Sequence, residues 1–193
     1  MFAVEGDAAA NFGAEVYPGY PGLVVAERRA RAMTWGFPLV LKGKQGQPLK
    51  PKPVTNARED KLDTAFWRDS FAHRRCLIPV SQWAEPRGDA GRMMRSWYGL
   101  PGGDLFAVAG LWRRSAEWGA VYTMVMTQSS PGMADVHDRM PVILRAEDWA
   151  QWTEGGFEDA LALCRMWLGP LTADHTRGRW VDDAPMAEQP GLL

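Results

Sequence analysis

Two apolar runs in the second half of the chain limit the possible folds more than any other feature. Residues 105–112 and residues 120–127 are mostly apolar on both faces of a strand, without the alternation of a half-exposed strand. A strand of this kind has to be covered on both faces. The sequence therefore predicts two central strands with packed layers on either side.

The surrounding pattern consists of further strands with a few helices between them. Two Pro-Gly pairs at residues 18–22 predict turns before a hairpin, and no G-x-G-x-x-G or P-loop motif occurs. Strands are expected at residues 23–26, 31–37, 75–85 and 93–99 and near 142–144, and helices at 64–74, 146–152 and 157–164. This order predicts an α+β protein with a mainly antiparallel, barrel-like sheet and a few peripheral helices, rather than a Rossmann sheet.

The length of 193 residues suits one domain, and the sequence contains no internal repeat or linker. We expect the domain to span residues 1–170 and to be followed by a partly disordered tail at residues 171–193, which is rich in Gly, Pro and Asp. The net charge of −1 excludes a strongly basic protein but not a local basic groove. There is no long apolar run and no signal peptide, and Cys76 and Cys164 lie in apolar surroundings, so a cytoplasmic protein with buried free thiols is expected.

Three polar residues stand at the ends of apolar runs: Asn56, Glu85 and His137. Singly, they have ordinary explanations as a turn residue, a solvated strand end and a structural histidine. Together, an amide, a carboxylate and an imidazole suit proton transfer in aldehyde or acyl chemistry, although spacing alone does not show that they meet in space. The lysine-rich segment 42–55 predicts either a mobile surface loop or a phosphate-contacting one.

Four stretches in this order resemble the motifs of the SRAP (SOS response-associated peptidase) family, the YedK-like and HMCES-like abasic site processing proteins. They are residues 55–59 (TNARE), residues 74–79 with 83–85 (RRCLIP and WAE), residues 106–112 (FAVAGLW) and residues 136–144 (VHDRMPVIL). The resemblance covers roughly residues 16–150.

The resemblance implies a protein of the response to DNA damage that binds single-stranded DNA and forms a covalent protein–DNA linkage at abasic sites. Its nucleophile would be a cysteine at position 2, which captures the ring-opened sugar as a thiazolidine, and hydrolytic, protease-like self-processing would follow. The residue matching Asn56 would orient the sugar, His137 would assist ring opening, and Glu85 would act as acid or base near the N-terminal amine. Arg58 and Arg139 would hold phosphates, and Trp35 would stack on bases.

The sequence departs from the family pattern at three places. Phe2 stands where the family has its cysteine, and residues 1–5 look like part of the family's first helix, so we expect the N-terminal strand and its Met-Cys start to be missing. Glu85 has unusual neighbours in Trp83 and Pro86, and the usual Asn-rich closing segment is not visible.

Three hypotheses follow from the sequence. The first is an abasic site processing enzyme, and the second is a non-catalytic single-stranded DNA-binding remnant of the family. The third is a thiol hydrolase that uses Cys76 with His137, which the apolar setting of Cys76 disfavours. We expect a monomer without cofactor or metal, which partners with single-stranded DNA and with no membrane, and which associates with the nucleoid when it acts on DNA.

Overall fold

The computed structural model describes Glu5–Gly6 and residues 14–180. The described strands are β1 (Glu5–Gly6), β2 (Pro21–Ala26), β3 (Arg29–Trp35), β4 (Phe37–Leu39), β5 (Lys52–Val54), β6 (Asn56–Arg58), β7 (Arg75–Val80), β8 (Gln82–Arg87), β9 (Met94–Gly99), β10 (Phe106–Ser115), β11 (Gly119–Gln128), β12 (Arg139–Pro141), β13 (Ile143–Leu144) and β14 (Thr172–Arg179). The described α-helices are α1 (Arg68–His73), α2 (Trp149–Glu154) and α3 (Phe157–Leu161), and short 3-10 helices lie at Glu59–Lys61 and Ala146–Asp148.

The main sheet closes into a barrel. Its strands follow the order β3, β2, β7, β10 and β11, and β3 also pairs with β11, so the first and last of these strands meet. The closing pair is parallel and aligns Thr34 and Trp35 with Val121 and Tyr122. Apart from such parallel contacts of β11 and β1, the ladders are antiparallel, which confirms the predicted barrel-like α+β core.

Side chains from all five barrel strands fill the interior. They form one cluster with residues of β8 and β9, so the separate three-stranded sheet β14-β9-β8 packs over this interior. Representative members are Val24, Met33, Cys76, Val108 and Met124 from the barrel and Trp83 and Tyr98 from the smaller sheet. Burial of these apolar surfaces is the main force that joins the two sheets.

The helices cover the outer face of the barrel. Trp152 of α2 is fully buried there and donates its indole N–H to the carbonyl oxygen of Cys76 (2.9 Å). The buried guanidinium of Arg75 donates to the carbonyl oxygens of Phe71, Trp152 and Gly155. A buried cation is tolerated at this place because carbonyl oxygens replace water, and the contacts fix α1 and α2 on β7.

The structure corrects several predicted boundaries. The expected helix at residues 64–74 is α-helical only over Arg68–His73, and its first residues form turns. The expected single strand at residues 75–85 is two strands in two different sheets, because the chain bends at Ser81. The expected tail from residue 171 begins with β14, which pairs with β9.

The remaining N- and C-terminal expectations concern residues that are largely undescribed. Position 2 and the rest of residues 1–4 lie outside the described residues, whereas Glu5–Gly6 pairs with β3 as a strand. Residues 181–193 also lie outside the described residues. The domain boundary at residue 170 stays a prediction.

None of the helices in the described part of the chain is long and apolar enough to cross a membrane.

Close packing at Gly110 provides a test of the barrel interior. A methyl group on Gly110 would lie 2.8 Å from Sγ of Cys76 and 2.8 Å from Cδ1 of Ile78, and both distances are shorter than a van der Waals contact. We expect Gly110→Ala to lower the free energy of unfolding by about 1–3 kcal/mol in urea denaturation followed by tryptophan fluorescence.

The matched control is the double variant Gly110→Ala with Cys76→Ala. Removal of the thiol relieves part of the crowding, so the two effects should be less than additive by at least about 0.5 kcal/mol. Strict additivity would contradict the interior packing described here.

Candidate active site

The bend between β7 and β8 places Glu85 beside the barrel interior. Trp83 and Glu85 are two residues apart on β8 and therefore project to the same face of the strand. Trp83 packs into the interior cluster, and Glu85 follows at its margin with only 8% of its surface exposed. The alternative of a solvated strand end is therefore wrong.

His137 belongs to the loop between β11 and β12, and it faces Glu85. The loop turns at Met133, whose carbonyl oxygen accepts hydrogen bonds from the amides of Val136 (2.9 Å) and His137 (3.1 Å). Nδ1 of His137 lies 2.9 Å from the carbonyl oxygen and 3.1 Å from the amide nitrogen of Arg139. The backbone of Arg139 thus engages Nδ1, and Nε2 is left to face Oε2 of Glu85 at 3.8 Å.

Burial changes the acidity of Glu85. Desolvation disfavours the carboxylate and raises the pKa of Glu85 to about 7, against the opposing attraction of His137 and with a smaller contribution from Asp138. A carboxyl group that titrates near neutrality both donates and accepts protons readily. The pair Glu85–His137 therefore has the chemistry of an acid–base centre.

Three other candidate residues lie on strands that pair with β11. Trp35 is paired with Tyr122, Asn56 with Met124 and Arg58 with Met126, so the three residues project to the same side of the sheet as the interior residues of β11. The rings of Trp35 and Tyr122 are stacked with centroids 6.5 Å apart. The aromatic ring of Trp35, the amide of Asn56 and the guanidinium of Arg58 thus form a row along one edge of β11.

Arg139 lies across β11 from this row, where it is paired with Gln128. The hydrogen bond to Asp60 is the main cause of the raised pKa of Arg58, and the charge of Asp138 adds a smaller increase, as it does to the pKa of the buried Glu85. The structure therefore brings Arg58, Glu85 and the segment His137–Arg139 into one neighbourhood, and β11 adds Asn56 and Trp35 to it.

Both arginines have acidic neighbours. The guanidinium of Arg58 makes two contacts with the carboxylate of Asp60, at 2.8 and 2.7 Å, and that of Arg139 lies 3.6 Å from Asp138. These pairs are solvent-accessible, and exposed ion pairs contribute little free energy, so a phosphate group can exchange with the carboxylates.

Sequence reasoning did not identify Tyr122 and Ser96. The ring of Tyr122 stacks on that of Trp35, and Ser96 is the direct cross-strand neighbour of Glu85. The signal for Tyr122 was an aromatic ring with a polar group in a mostly apolar run. Ser96 had a weaker signal, as a small polar residue two positions before the buried Tyr98.

The two cysteines are poor nucleophiles. Cys76 is fully buried in the barrel, and burial raises the pKa of its thiol far above the usual range. Burial also raises the pKa of Cys164 to about 12. Since the thiolate is the reactive form, the structure gives no support to a thiol hydrolase at Cys76.

Neither Glu85 nor His137 lines either of two surface depressions. One, of about 410 Å³, lies at the ends of β8 and β9, and the other, of about 310 Å³, lies between residues 130–132 and 167–171. Neither is lined by an ionisable side chain, so the Glu85–His137 region remains the best candidate.

Known proteins resemble this chain in sequence and in fold. The sequence matches the family SOS response associated peptidase (SRAP) over residues 4–184. The chain belongs to the SRAP family. The match includes every candidate residue of the site.

Several relatives are named abasic site processing proteins. YoqW of Bacillus subtilis (strain 168) is 34% identical over 149 residues, which cover 72% of this chain and 66% of that protein. YobE of the same organism is 34% identical over 105 residues, which cover 51% of this chain and 48% of that protein. The matched regions thus span less than two thirds of the length of these relatives.

Solved structures show the same fold. A protein from Bordetella bronchiseptica superposes with a TM-score of 0.75 at 24% identity, covering 91% of this chain and 92% of that one. A protein from Bacteroides thetaiotaomicron gives a TM-score of 0.70 at 16% identity, covering 89% and 84%.

The raised pKa of Glu85 makes stability depend on pH. The folded protein holds this proton up to about pH 7, whereas an unfolded glutamate releases it near its ordinary value of 4.5. The native state therefore binds more protons between these values, and stability falls as the pH rises through them. We expect Glu85→Gln to be more stable than the original protein by about 1–3 kcal/mol near pH 8, with the difference vanishing near pH 4.

Urea denaturation across this pH range measures the effect. Glu147→Gln serves as the control, because the Glu147 side chain is exposed, and its stability should stay within about 0.5 kcal/mol of the original at every pH. A Glu85→Gln variant that is less stable at high pH would contradict a costly buried carboxylate.

Proposed function

We propose that this protein binds single-stranded DNA at the Glu85–His137 site and processes abasic sites there. The observation that carries the proposal is the buried Glu85, with its pKa near 7, 3.8 Å from Nε2 of His137. The names of the relatives YoqW and YobE, which are abasic site processing proteins, support the same assignment.

The row along β11 suits the DNA strand. An aromatic ring at Trp35 offers a stacking surface for a base, and Arg58 and Arg139 offer cations for phosphates. Asn56 lies between them and has donors and an acceptor for the hydroxyl groups of a sugar. Stacking and cations without a base-reading element fit a single strand of any sequence.

The acid–base pair suits the opening of the sugar ring. An abasic sugar is a cyclic hemiacetal, and its aldehyde forms when the anomeric hydroxyl group loses a proton and the ring oxygen gains one. His137 accepts the first proton in the proposed reaction, and the Glu85 carboxyl group assists the later steps at the amine.

The covalent step requires a nucleophile outside the described residues. We propose an N-terminal cysteine, as in the family pattern. Its amine condenses with the aldehyde to an imine and releases water, and its thiol then adds to the imine carbon to close a thiazolidine. Neither Cys76 nor Cys164 is accessible enough for this role.

The covalent reaction is tested with a chain extended at its N-terminus to a Met-Cys start. Incubation with abasic single-stranded DNA should give an adduct that survives denaturation, and a Cys→Ser change in the added segment should abolish it. Asn56→Ala and His137→Ala should slow adduct formation by about 10²-fold or more. No adduct from the extended chain would refute the proposed chemistry.

The second candidate is a non-catalytic single-stranded DNA binder. It is favoured by the inaccessibility of Cys76 and Cys164, which leaves the described residues without a thiol nucleophile. This candidate predicts salt-dependent binding by the extended chain but no covalent product.

Binding itself is tested at the arginines. Arg58→Ala and Arg139→Ala should each weaken binding of a single-stranded oligonucleotide and reduce the slope of log K against log salt concentration by about 0.7, the value for one lost phosphate contact. Fluorescence anisotropy at several salt concentrations measures both effects.

Arg28→Ala is the matched control. Arg28 is also an exposed arginine in an ion pair, but its partner is Glu154 of α2, on the helix-covered side of the barrel. The slope should be unchanged in this variant. Equal losses in all three variants would indicate a general charge effect and contradict the proposed binding row.

A further inference from the structure

A hairpin leaves the candidate site between Trp35 and Asn56. The chain departs along β4 and returns along β5, and within the described chain these two strands form a sheet of their own. The pairing continues beyond them, because the amide of Leu49 donates to the carbonyl oxygen of Leu41 (2.8 Å). We call residues 40–52, most of which are exposed, the basic arm.

The basic arm carries a concentrated positive charge. Residues 36–58 contain no Asp or Glu, although the net charge of the chain is −1. The cations of the arm are exposed, and their side chains form no ion pair with another described residue; they are Lys42, Lys44, Lys50 and Lys52. Arg58 and Arg139, by contrast, each have an acidic neighbour. Unpaired like charges on one hairpin repel each other, and a bound polyanion relieves this repulsion.

Side-chain contacts hold the root of the arm on the barrel. The indole N–H of Trp35 donates to the carbonyl oxygen of Thr55 (3.2 Å), which joins the two ends of the hairpin. The guanidinium of Arg113 lies 4.1 Å from the ring centroid of Phe37 and 4.7 Å from that of Phe66. These cation–π contacts attach the first residue of β4 to β10. The arm therefore starts at the same edge of the barrel as the Trp35 ring.

We propose that the basic arm holds phosphate groups of the DNA strand where the strand continues beyond the abasic nucleotide, on the Trp35 side of the site. This inference rests on the proposed function, because it names a further contact surface for the same strand. A lysine ammonium group is a compact charge on a flexible stem, so it holds phosphates without a fixed register and without regard to base sequence.

A loop that merely connects two strands explains the arm less well. Leu39 and Lys52 are already paired, and a turn of about two residues would close a hairpin at that point. The chain instead extends the hairpin by a segment that contains lysines and no acidic residue. Positive charge without local counter-charge is the pattern expected of a surface that meets phosphates.

Two double variants test the arm: Lys42→Gln with Lys44→Gln, and Lys50→Gln with Lys52→Gln. Because the lysines are exposed, both variants should fold like the original protein. Fluorescence anisotropy at several salt concentrations measures their binding to oligothymidine that contains a tetrahydrofuran residue in place of one nucleotide. Each double variant should reduce the slope of log K against log salt concentration by about 0.7–1.4, the value for one or two lost phosphate contacts.

The length of the oligonucleotide separates the arm from the rest of the site. A strand of about 15 nucleotides should reach the arm, whereas one of about 4 nucleotides should contact only the row beside β11. The lysine variants should therefore weaken binding of the long strand and leave binding of the short strand unchanged. When the tetrahydrofuran residue is placed near one end or the other of the long strand, only one placement should respond to the substitutions, because the arm lies on one side of the site.

The matched control is Arg28→Gln with Arg165→Gln, which also removes two exposed charges. Arg28 is paired with Glu154 of α2, and Arg165 lies 3.8 Å from Asp148, at the end of a 3-10 helix. The slope should be unchanged in this variant. Unchanged slopes in both lysine variants, falls of equal size in the control, or equal losses for the short and long strands would overturn the proposal.

Failure of the arm and failure of the proposed function give different results. If the chain extended to a Met-Cys start forms the adduct but the lysine variants bind like the original, only the arm is refuted. If the lysine variants lower the slope but the extended chain forms no adduct, the proposed processing is refuted and the arm is retained as a surface for single-stranded DNA.

Discussion

The barrel interior and the order of the candidate site residues both depend on the parallel pairing of β3 with β11. It closes the barrel, and it also sets the order of residues along the site. The amide of Gly36 donates to the carbonyl oxygen of Tyr122 (2.7 Å), the chain then departs through β4 and β5, and it returns where the amide of Met124 donates to the carbonyl oxygen of Thr55 (2.9 Å). Gly36 has a φ of +119° and lies against Pro53, which no residue with a side chain tolerates. Trp35 and Asn56, far apart in sequence, thereby become neighbours on one edge.

A second constraint is the bend at Ser81, which moves the chain from the barrel into the smaller sheet. Trp83 and Tyr98 stack with ring centroids 5.7 Å apart and pack into the interior cluster. This packing buries the neighbouring Glu85. The carboxyl group is costly there in its charged form, yet this cost is what moves its pKa toward neutrality. Burial of Glu85 therefore lowers the stability of the protein at neutral pH, and the same burial gives the carboxyl group a pKa suited to proton transfer.

The sequence predicted the features that depend on local pattern. The apolar runs that became β10 and β11 had to be covered on two faces, and they lie between the barrel interior and the helices. The pattern did not reveal the division of residues 75–85 between two sheets, because a bend without Gly leaves no strong local signal, or the strand β14, whose residues are mostly exposed and polar. The meeting of Glu85 with His137 and the row along β11 are long-range consequences of barrel closure, which spacing in the sequence cannot show.

We propose that Trp35, β6, Glu85 and the segment His137–Arg139 form one binding site. Hydrogen–deuterium exchange with single-stranded DNA that contains a tetrahydrofuran analogue of an abasic site tests it most directly, because the analogue binds without forming a covalent product. We expect slower exchange at Trp35, Asn56–Arg58 and residues 136–139 in the same complex, with no change in α1 and α2. Protection confined to the helices, or to only one of these segments, would contradict a single site built by the closure of the barrel.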